Sequence, residues 1–556
     1  MNRLFETHYI RRQVSLDGIW QFRAEGGDKL YSMPVPGCWE QHPDFYQYRG
    51  AGVYTRQVRV AEAGNLRLEF KGISHTADVY FDGEKVAHHY NAYTPFSVVL
   101  RNVCAGEHTL SVRVDSSYSE YSSLHIPNDY YSFGGISRPV AMEYVPDVYI
   151  KYIHFTPRFE GGQWSGKTEI CLVNLAGREK AVTLTTRLAE VEQVMAVTAA
   201  AGETVVAFDA DYPEAEQWDM ENPKLYDIRS VVDDGGVRDD LIDRVGFRYV
   251  SWDARKFYLN GKPVFLKGLN RHEDYGLVGC AVPLQMMSHD LDLFEDLGAN
   301  AVRTAHYPND ERFLDMCDQR GILVWEENHA RGLTLEQMQN PNFERQCADC
   351  IDEMVENHYN HPSIVIWAIL NECASDTQEG KAMYKKQLDQ IRGMDQTRPT
   401  TFASCKYYAD VSLELPDMVS FNCYFPMGKI REELDRLNHW IDTEAGGGDK
   451  AFIVSEFGCE ALYGYREPSG PAWSEEKQVR FLTENIQAYM DSQRVTGLFI
   501  WMFADTRIST ERFGDWRPRG RNNKGVVDEY RRPKLSYSAV KELFQRDPYG
   551  EREQKG

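Results

Sequence analysis

The sequence predicts three domains: an antiparallel β-sandwich, a second and smaller β-sandwich, and a C-terminal barrel of eight strands and eight helices. The chain has 556 residues, which is too long for a single hydrophobic core. Up to about residue 250, short segments alternate between apolar and polar residues, and no helical period is present. From about residue 251, apolar runs of strand length alternate with helical patterns, which is typical of a parallel (β/α)8 barrel.

The first two predicted domains cover residues 1–146 and 147–250. Residues 66–70 alternate as a strand does, and Asp82-Gly83 lies between two apolar segments, which predicts a hairpin turn. In the second domain, residues 182–186 alternate in the same way, and a length of roughly a hundred residues fits a small sandwich. We therefore expect both domains to be all-β.

The third predicted domain, residues 251–556, contains eight apolar runs that we interpret as the barrel strands. A helical pattern that ends at Gly298 separates the first two runs, as a βαβ unit requires. The eight runs cover residues 264–267, 301–304, 322–325, 364–370, 400–404, 419–424, 452–455 and 498–501.

Two of these runs end in a glutamate. Residues 364–370 form a continuous apolar run followed by Asn371-Glu372, and residues 452–455 are followed by Glu456. A carboxylate at the end of a buried strand is unfavourable unless it lies at an opening. The C-terminal ends of barrel strands meet at one mouth, so we expect the two glutamates to lie there together. Two carboxylates in this arrangement can cleave a glycosidic bond, although either alone could form an ion pair.

The bulk properties exclude several classes of partner. A net charge of −22 argues against nucleic acid, which requires clustered cations. No apolar run is long enough to cross a membrane, and the first twelve residues lack the apolar core of a signal peptide. The eleven cysteines are scattered, which favours reduced thiols in a cytoplasm. No cluster has the spacing of metal ligands, so we expect no metal and no required cofactor.

A series of short motifs runs through the chain in a defined order. The motifs are Gly18-Ile19-Trp20, Pro36-Gly37-Cys38-Trp39, Glu221-Asn222-Pro223, Gly246-Phe247-Arg248, Asn270-Arg271-His272-Glu273-Asp274, Arg303-Thr304-Ala305-His306-Tyr307-Pro308, Asn371-Glu372 and Ser455-Glu456-Phe457-Gly458. In this order and spacing the chain resembles glycoside hydrolase family 2, and within it the bacterial β-glucuronidases with a short active-site loop. The resemblance implies a jelly-roll sandwich, an immunoglobulin-like sandwich and a catalytic TIM barrel.

The resemblance also implies roles for residues at the barrel mouth. Glu372 would be the general acid/base and Glu456 the nucleophile of a retaining enzyme, with the carboxyl groups about 5–5.5 Å apart. Asn371 would bind the 2-hydroxyl group of the sugar, while Arg303 and Tyr424 would hold the nucleophile.

Three further residues match site positions of the family. His306 follows the second strand, Trp501 would provide an apolar platform for the sugar, and Asp129 would reach the barrel from the first domain. Each has a purely structural alternative. His306 could be a buried histidine with its hydrogen bonds satisfied, Trp501 an aromatic core residue, and Asp129 a turn-forming aspartate.

The segment 522–525 distinguishes uronides from neutral sugars. By resemblance, Asn522 and Lys524 would bind the sugar carboxylate, and three arginines precede them in an otherwise acidic chain. Without the resemblance, this segment would be interpreted as a solvated loop.

Three features depart from the family pattern. Residues 327–343 form a shorter loop than in some glucuronidases, which predicts a wider entrance, and Cys373 stands where the family usually has proline. Arg331 in this loop is an additional cation. Glucuronate and galacturonate differ only at the 4-hydroxyl group, and a guanidinium near it could accept the axial epimer. The alternative is an arginine that pairs with a surface acid.

The leading hypothesis is a retaining exo-β-glucuronidase that acts on small-molecule glucuronides or uronide-terminated glycans. The alternatives within the family are a β-galacturonidase or dual uronidase, and then a β-galactosidase. A non-catalytic carbohydrate-binding protein is the alternative from another class. Because family members often assemble, we also expect a homo-oligomer.

Overall fold

The computed structural model describes residues 2–514 and 516–555, and it shows two β-sandwiches followed by a closed barrel of eight parallel strands. The predicted fold class is therefore confirmed. Within the described residues, no helix combines the length and the apolar character needed to cross a bilayer.

The N-terminal sandwich packs a four-stranded sheet against a six-stranded sheet. In spatial order the strands of the smaller sheet are Gln13–Ser15, Val140–Val145, Gly64–Phe70 and Phe96–Val103. Those of the larger sheet are Tyr31–Val35, Gly18–Ala24, Ala51–Val60, Gly106–Asp115, Thr76–Phe81 and Glu84–Tyr90. A small ladder pairs Ile73–Ser74 with Gly135–Ile136, and short 3₁₀ turns cover Trp39–Gln41 and Pro43–Phe45. Alternate residues of both sheets form one apolar core.

The predicted hairpin turn at Asp82-Gly83 is present. It joins the strands Thr76–Phe81 and Glu84–Tyr90, and both turn residues have positive φ, 50° and 84°. Asp and Gly are the residues that tolerate this conformation, so the sequence determines the turn locally.

The middle domain is an immunoglobulin-like sandwich of a three-stranded and a four-stranded sheet. The strands of the first sheet are Val148–Glu160, Gln163–Asn174 and Gly202–Asp211, and those of the second are Val191–Ala199, Lys180–Leu188, Tyr226–Asp233 and Arg238–Val245.

The barrel follows a small meander of the strands Val250–Trp252, Phe257–Leu259 and Lys262–Val264. The barrel strands are Leu266–Asn270, Ala301–Thr304, Leu323–Glu327, Ile364–Asn371, Thr400–Ser404, Val419–Asn422, Phe452–Phe457 and Val495–Ile500. The first strand had been predicted at residues 264–267, but Val264 ends the meander and the strand continues to Asn270 at the mouth. Tyr424 and Trp501 lie just beyond strand ends rather than inside strands.

Helices surround the barrel and cover its strands. They are Leu284–Leu297, Glu311–Arg320, Leu335–Met338, Phe343–His358, Gln378–Met394, Ile430–Thr443, Glu475–Asp491, Thr510–Phe513, Leu535–Phe544 and Pro548–Lys555, with 3₁₀ turns at Tyr407–Ala409 and Pro518–Gly520. The predicted end of the first helix at Gly298 is confirmed, because this glycine is the left-handed C-cap with φ of 76°. Past the last barrel strand, Thr506–Arg507 pairs with Arg521–Asn522 above the mouth.

The N-terminal sandwich docks on the mouth side of the barrel through buried polar and aromatic contacts. Arg138 donates to Glu273 and to the carbonyl oxygen of Pro308, both at 2.7 Å. Tyr93 stacks on Tyr307 with a centroid distance of 3.7 Å. This docking brings the loop that contains Asp129 to the barrel.

Candidate active site

Glu372 directly follows the fourth barrel strand, in which every residue is buried. Its φ is 56°, a left-handed conformation that is uncommon outside glycine. Its backbone N–H donates to Ala403 on the neighbouring strand at 2.9 Å. One carboxylate oxygen accepts from Asn422 Nδ2 at 2.9 Å, and the other lies 3.0 Å from Arg331 Nη2. The side chain is thus held at the mouth from two sides.

Glu456 lies in the seventh strand and is bound by two donors. Arg303 Nη1 donates to one carboxylate oxygen at 2.9 Å, and the Tyr424 hydroxyl donates to the other at 3.0 Å. Burial raises the pKa of Glu456 to about 7, and the charge of Glu372 adds to this, while Arg303 opposes it. The two glutamates therefore interact electrostatically at one mouth.

Arg303 is fully buried and organises the floor of the site. Besides Glu456, it binds Glu327 through two hydrogen bonds of 2.9 and 3.0 Å and Asn371 Oδ1 at 2.9 Å. Glu327 was not among the residues predicted for the site, although it ends the third barrel strand as the predicted glutamates end theirs. Asn422, at the end of the sixth strand, contacts both Asn371 and Glu372.

His306 and Trp501 form one wall. Nδ1 of His306 lies 2.8 Å from Glu327 and 3.3 Å from Arg303 Nη2, and the shorter contact with the carboxylate favours a proton on Nδ1. Nε2 lies 3.8 Å from Glu456, and burial together with Arg303 keeps the pKa of the ring well below its usual range. The indole of Trp501 is 1% exposed and stacks on this imidazole at 4.9 Å.

Asp129 reaches the mouth from the first domain. Its Oδ2 accepts from Arg517 and from Asn522 Nδ2, each at 3.0 Å, and its Oδ1 lies 3.8 Å from Arg331 Nη1. Burial alone would raise the pKa of Asp129, but Arg331 and Arg517 outweigh it and lower the pKa to about 2. Asp129 is therefore ionised at neutral pH.

Lys524 and Glu456 both contact Tyr424. Its Nζ is 4.7 Å from the ring centroid of Tyr424, whose hydroxyl binds Glu456. The same Nζ is 3.5 Å from Glu460, which also accepts from Arg517 at 3.0 Å. A hydrogen-bonded ion pair measures about 2.7–2.9 Å, which is shorter than the contact with Glu460. The ammonium group can therefore form a closer contact with another anion.

Arg331 is placed by backbone pairing. Asn371 N–H donates to the carbonyl oxygen of Ala330 at 3.0 Å, and Gly332 N–H donates to that of Asn371 at 2.8 Å. The loop after the third strand therefore pairs with the end of the fourth strand. Nη1 of Arg331 donates to Asn128 at 2.6 Å, and Nη2 pairs with Glu372. The Arg331 side chain is 14% exposed, so it lies inside the mouth and not at the outer surface.

Several buried polar atoms of the site have no hydrogen-bond partner among the described residues. They are Asn371 Nδ2, His306 Nε2, Asp129 Oδ1, Asn522 Oδ1 and Arg331 Nε. Buried polar atoms in proteins are nearly always satisfied, so donors and acceptors left free on the walls of one cleft suit a polyhydroxylated ligand. Asn522 directs one amide N–H to Asp129, and its free oxygen suits a hydroxyl group, while Lys524 is a cation within the cleft that is available for a carboxylate.

One buried group has the composition of a metal site but is already satisfied. Asp315, Asp318 and His361 bring possible ligand atoms within 4.8 Å of one another. However, Arg3 donates to Asp315, and His361 contacts Asp318, so these carboxylates have protein partners.

Models of one protein family match nearly the whole chain. The sugar binding domain of glycosyl hydrolases family 2 matches residues 11–146, a second family 2 model matches residues 148–248, and the family 2 TIM barrel domain matches residues 250–546.

Individual relatives agree with these models. The structure of a family 2 β-galacturonidase from Eisenbergiella tayi, bound to galacturonate, is 47% identical and covers 98% of this chain and 99% of that chain, with a TM-score of 0.95. The β-glucuronidase of Chlorocebus aethiops is 27% identical over 96% of this chain and 91% of its own. A Formosa agariphila protein with a β-glucuronidase name is 27% identical over 90% of this chain, which spans 65% of that protein's length. The chain belongs to glycoside hydrolase family 2 and is a glycoside hydrolase.

Proposed function

We propose that this enzyme is a retaining exo-β-uronidase in which Glu456 is the nucleophile and Glu372 the general acid/base. Glu456 attacks the anomeric carbon while Glu372 gives its proton to the glycosidic oxygen, which leaves with the aglycone. Glu372 then takes a proton from water as the water displaces Glu456. The hydrogen bonds from Arg303 and Tyr424 support this assignment, because they favour the charged form of Glu456.

The position of Lys524 is the observation that carries the preference for a uronide. It lies beside Tyr424, hence near Glu456, and its contact with Glu460 is long enough for a sugar carboxylate to compete. A charge-assisted contact of this kind is worth about 1.5–3 kcal/mol, which separates a uronide from the neutral sugar. Asn371 Nδ2, which is free, is suited to the 2-hydroxyl group, and Trp501 with His306 bounds the ring.

We propose that β-galacturonides are the preferred uronides. Arg331 and Asp129 lie side by side next to Glu372, so one donor and one acceptor are available for the hydroxyl that distinguishes the epimers. The 47% identical structure from Eisenbergiella tayi is described as a β-galacturonidase, which supports the same preference. β-Glucuronidase activity is the second candidate, because relatives of 27% identity carry that name.

A panel of four nitrophenyl β-glycosides tests this function: the galacturonide, the glucuronide, the galactoside and the glucoside. We expect both uronides to exceed the neutral sugars in kcat/KM, with the galacturonide first. A neutral sugar that exceeds both uronides would refute the uronidase assignment.

The nucleophile is tested separately with Glu456→Gln, which removes the reactive carboxylate and nearly preserves shape. We expect turnover of every substrate to be lost, whereas the exposed Glu107→Gln should retain it. Normal turnover by Glu456→Gln would exclude the proposed mechanism.

A further inference from the structure

A segment beyond the eighth strand, described at residues 508–514 and 516–520, runs along the entrance of the site. Ser509 N–H donates to the carbonyl oxygen of Asn128 at 3.0 Å, and Arg512 Nη1 donates to that of Pro127 at 3.3 Å. These partners immediately precede Asp129 in the loop from the first domain. One end of the entrance segment is therefore attached to the loop that enters the site.

The other end of the entrance segment is attached across the mouth. Arg517 donates to Asp129 and also to Glu460, each at 3.0 Å. Between the two attached ends lies Trp516, which is 81% exposed. Tryptophan is on average highly buried, so an indole held open to solvent between two anchors at a sugar site is suited to stacking on a ring of the ligand.

Arg512 provides a positive charge on the same segment. Its side chain is exposed, and it forms no ion pair with any residue that the structure describes. Arg512 donates to Pro127 and Arg331 Nη1 donates to Asn128, so the two guanidinium groups contact adjacent residues of one loop. Arg331 contacts Glu372, the proposed acid, and the group that accepts its proton is the glycosidic oxygen. Arg512 is thus on the side from which the aglycone leaves.

We propose that Arg512 and Trp516 form a binding site for the leaving group, selective for an aglycone that combines a ring face with a negative charge. The shared chemistry fits two sources, an acidic sugar residue of a glycan or a carboxylated aromatic ring. This leaving-group site rests on the proposed uronidase function. It selects the aglycone, whereas the two glutamates and Lys524 act on the sugar.

Matched pairs of substrates test whether the enzyme prefers a negatively charged aglycone. The parent enzyme is compared on an aryl uronide with a carboxylate on the ring and on the corresponding carboxamide, and on a uronate–uronate disaccharide and its analogue with a neutral second sugar. We expect a preference of about 5-fold in kcat/KM for the anionic member of at least one pair, the size of an exposed charge pair. High salt should reduce it, because exposed charges are screened. The pair that shows the preference identifies the source.

Variants connect the preference to the two residues. Arg512→Gln should remove the preference, whereas Arg345→Gln, at an exposed arginine that pairs with Asp349, should leave it unchanged. Trp516→Ala should lower kcat/KM on ring-bearing aglycones about 3- to 10-fold and leave an alkyl uronide unaffected. Tyr9→Ala, also at an exposed aromatic, is the control. Thermal melting shows that each variant is folded.

The failures of the two proposals are distinguishable. If the parent turns over both uronides but favours neither anionic aglycone, or if Arg512→Gln keeps the preference, the leaving-group site is refuted and the uronidase function stands. If neutral glycosides are the better substrates throughout, the uronidase function fails, and the leaving-group site fails with it.

Discussion

Replacing Arg331 by alanine should lower the ratio of galacturonide to glucuronide efficiency. The guanidinium lies 3.0 Å from Glu372 and 3.8 Å from Asp129, and it is mostly buried, so its contact with a substrate hydroxyl would be charge-assisted and poorly screened. Such a contact is worth about 1.5–3 kcal/mol. Since each 1.4 kcal/mol is about tenfold, the ratio should fall about 10- to 150-fold.

Arg331→Ala also removes the positive charge beside Glu372 and Asp129, which lowers turnover of both epimers. The ratio of the two efficiencies is therefore the informative quantity. The assay is kcat/KM on the two nitrophenyl uronides at one pH. Arg331→Lys is the matched control: it keeps the charge and loses the planar fork, so an intermediate ratio is expected. An unchanged ratio in Arg331→Ala, or no galacturonide turnover by the parent, would refute the role of Arg331.

Three further predictions concern charge. Lys524→Ala should reduce kcat/KM on uronides about 10-fold or more while sparing trace activity on the neutral glycoside, and equal losses would make Lys524 structural. Burial raises the pKa of Glu456 to about 7, and the nucleophile must be ionised to attack, so kcat/KM should rise as the pH increases through about 7, and full activity that persists down to pH 5 would contradict this. Burial lowers the pKa of His75 from 6.5 to about 4, so its neutral form stabilises the fold by about 3 kcal/mol above pH 6.5, and this is lost as the pH falls toward 4. The melting temperature of His75→Gln should therefore fall less on acidification than that of the exposed control His88→Gln.

The sequence predicts the fold and the strand ends with the proposed catalytic glutamates because these features depend on local patterns. Fully buried parallel strands require continuous apolar runs, and a glutamate at the end of such a run is visible without any structure. Asp82-Gly83 and Gly298 are equally local, since each position requires a positive φ.

Residues whose orientation depends on register are not predictable in this way. Glu326 and Glu327 are adjacent in the third strand, and both are buried. Successive side chains alternate between the two faces of a strand, so Glu326 contacts His358 on a surrounding helix while Glu327 binds Arg303 inside the barrel. The sequence shows two acidic residues in a row and does not show which one points inward.

Contacts across domains are also invisible to local patterns. Arg331 reaches Glu372 because a backbone bridge joins its loop to Asn371, forty residues further along the chain. Asp129 meets Asn522 only after the first domain docks, and their separation in sequence is 393 residues. The resemblance to a family indicated Asp129 and Asn522, whereas Arg331 was predicted from its place in the loop after the third strand. The contacts that these residues form could be seen only in the structure.

Asp129 belongs to a different domain from the two glutamates, and this affects how the site is assembled. The two glutamates belong to the barrel, but an acceptor that points into the cleft, Asp129 Oδ1, comes from the sandwich. Its position depends on contacts remote from the sugar, such as the ion pair of Arg138 with Glu273. If Asp129 takes the proposed role in substrate discrimination, that discrimination is coupled to domain docking, whereas both proposed catalytic glutamates belong to the barrel. On this proposal, we expect changes at the domain interface to alter which sugar is bound without altering the two proposed catalytic glutamates.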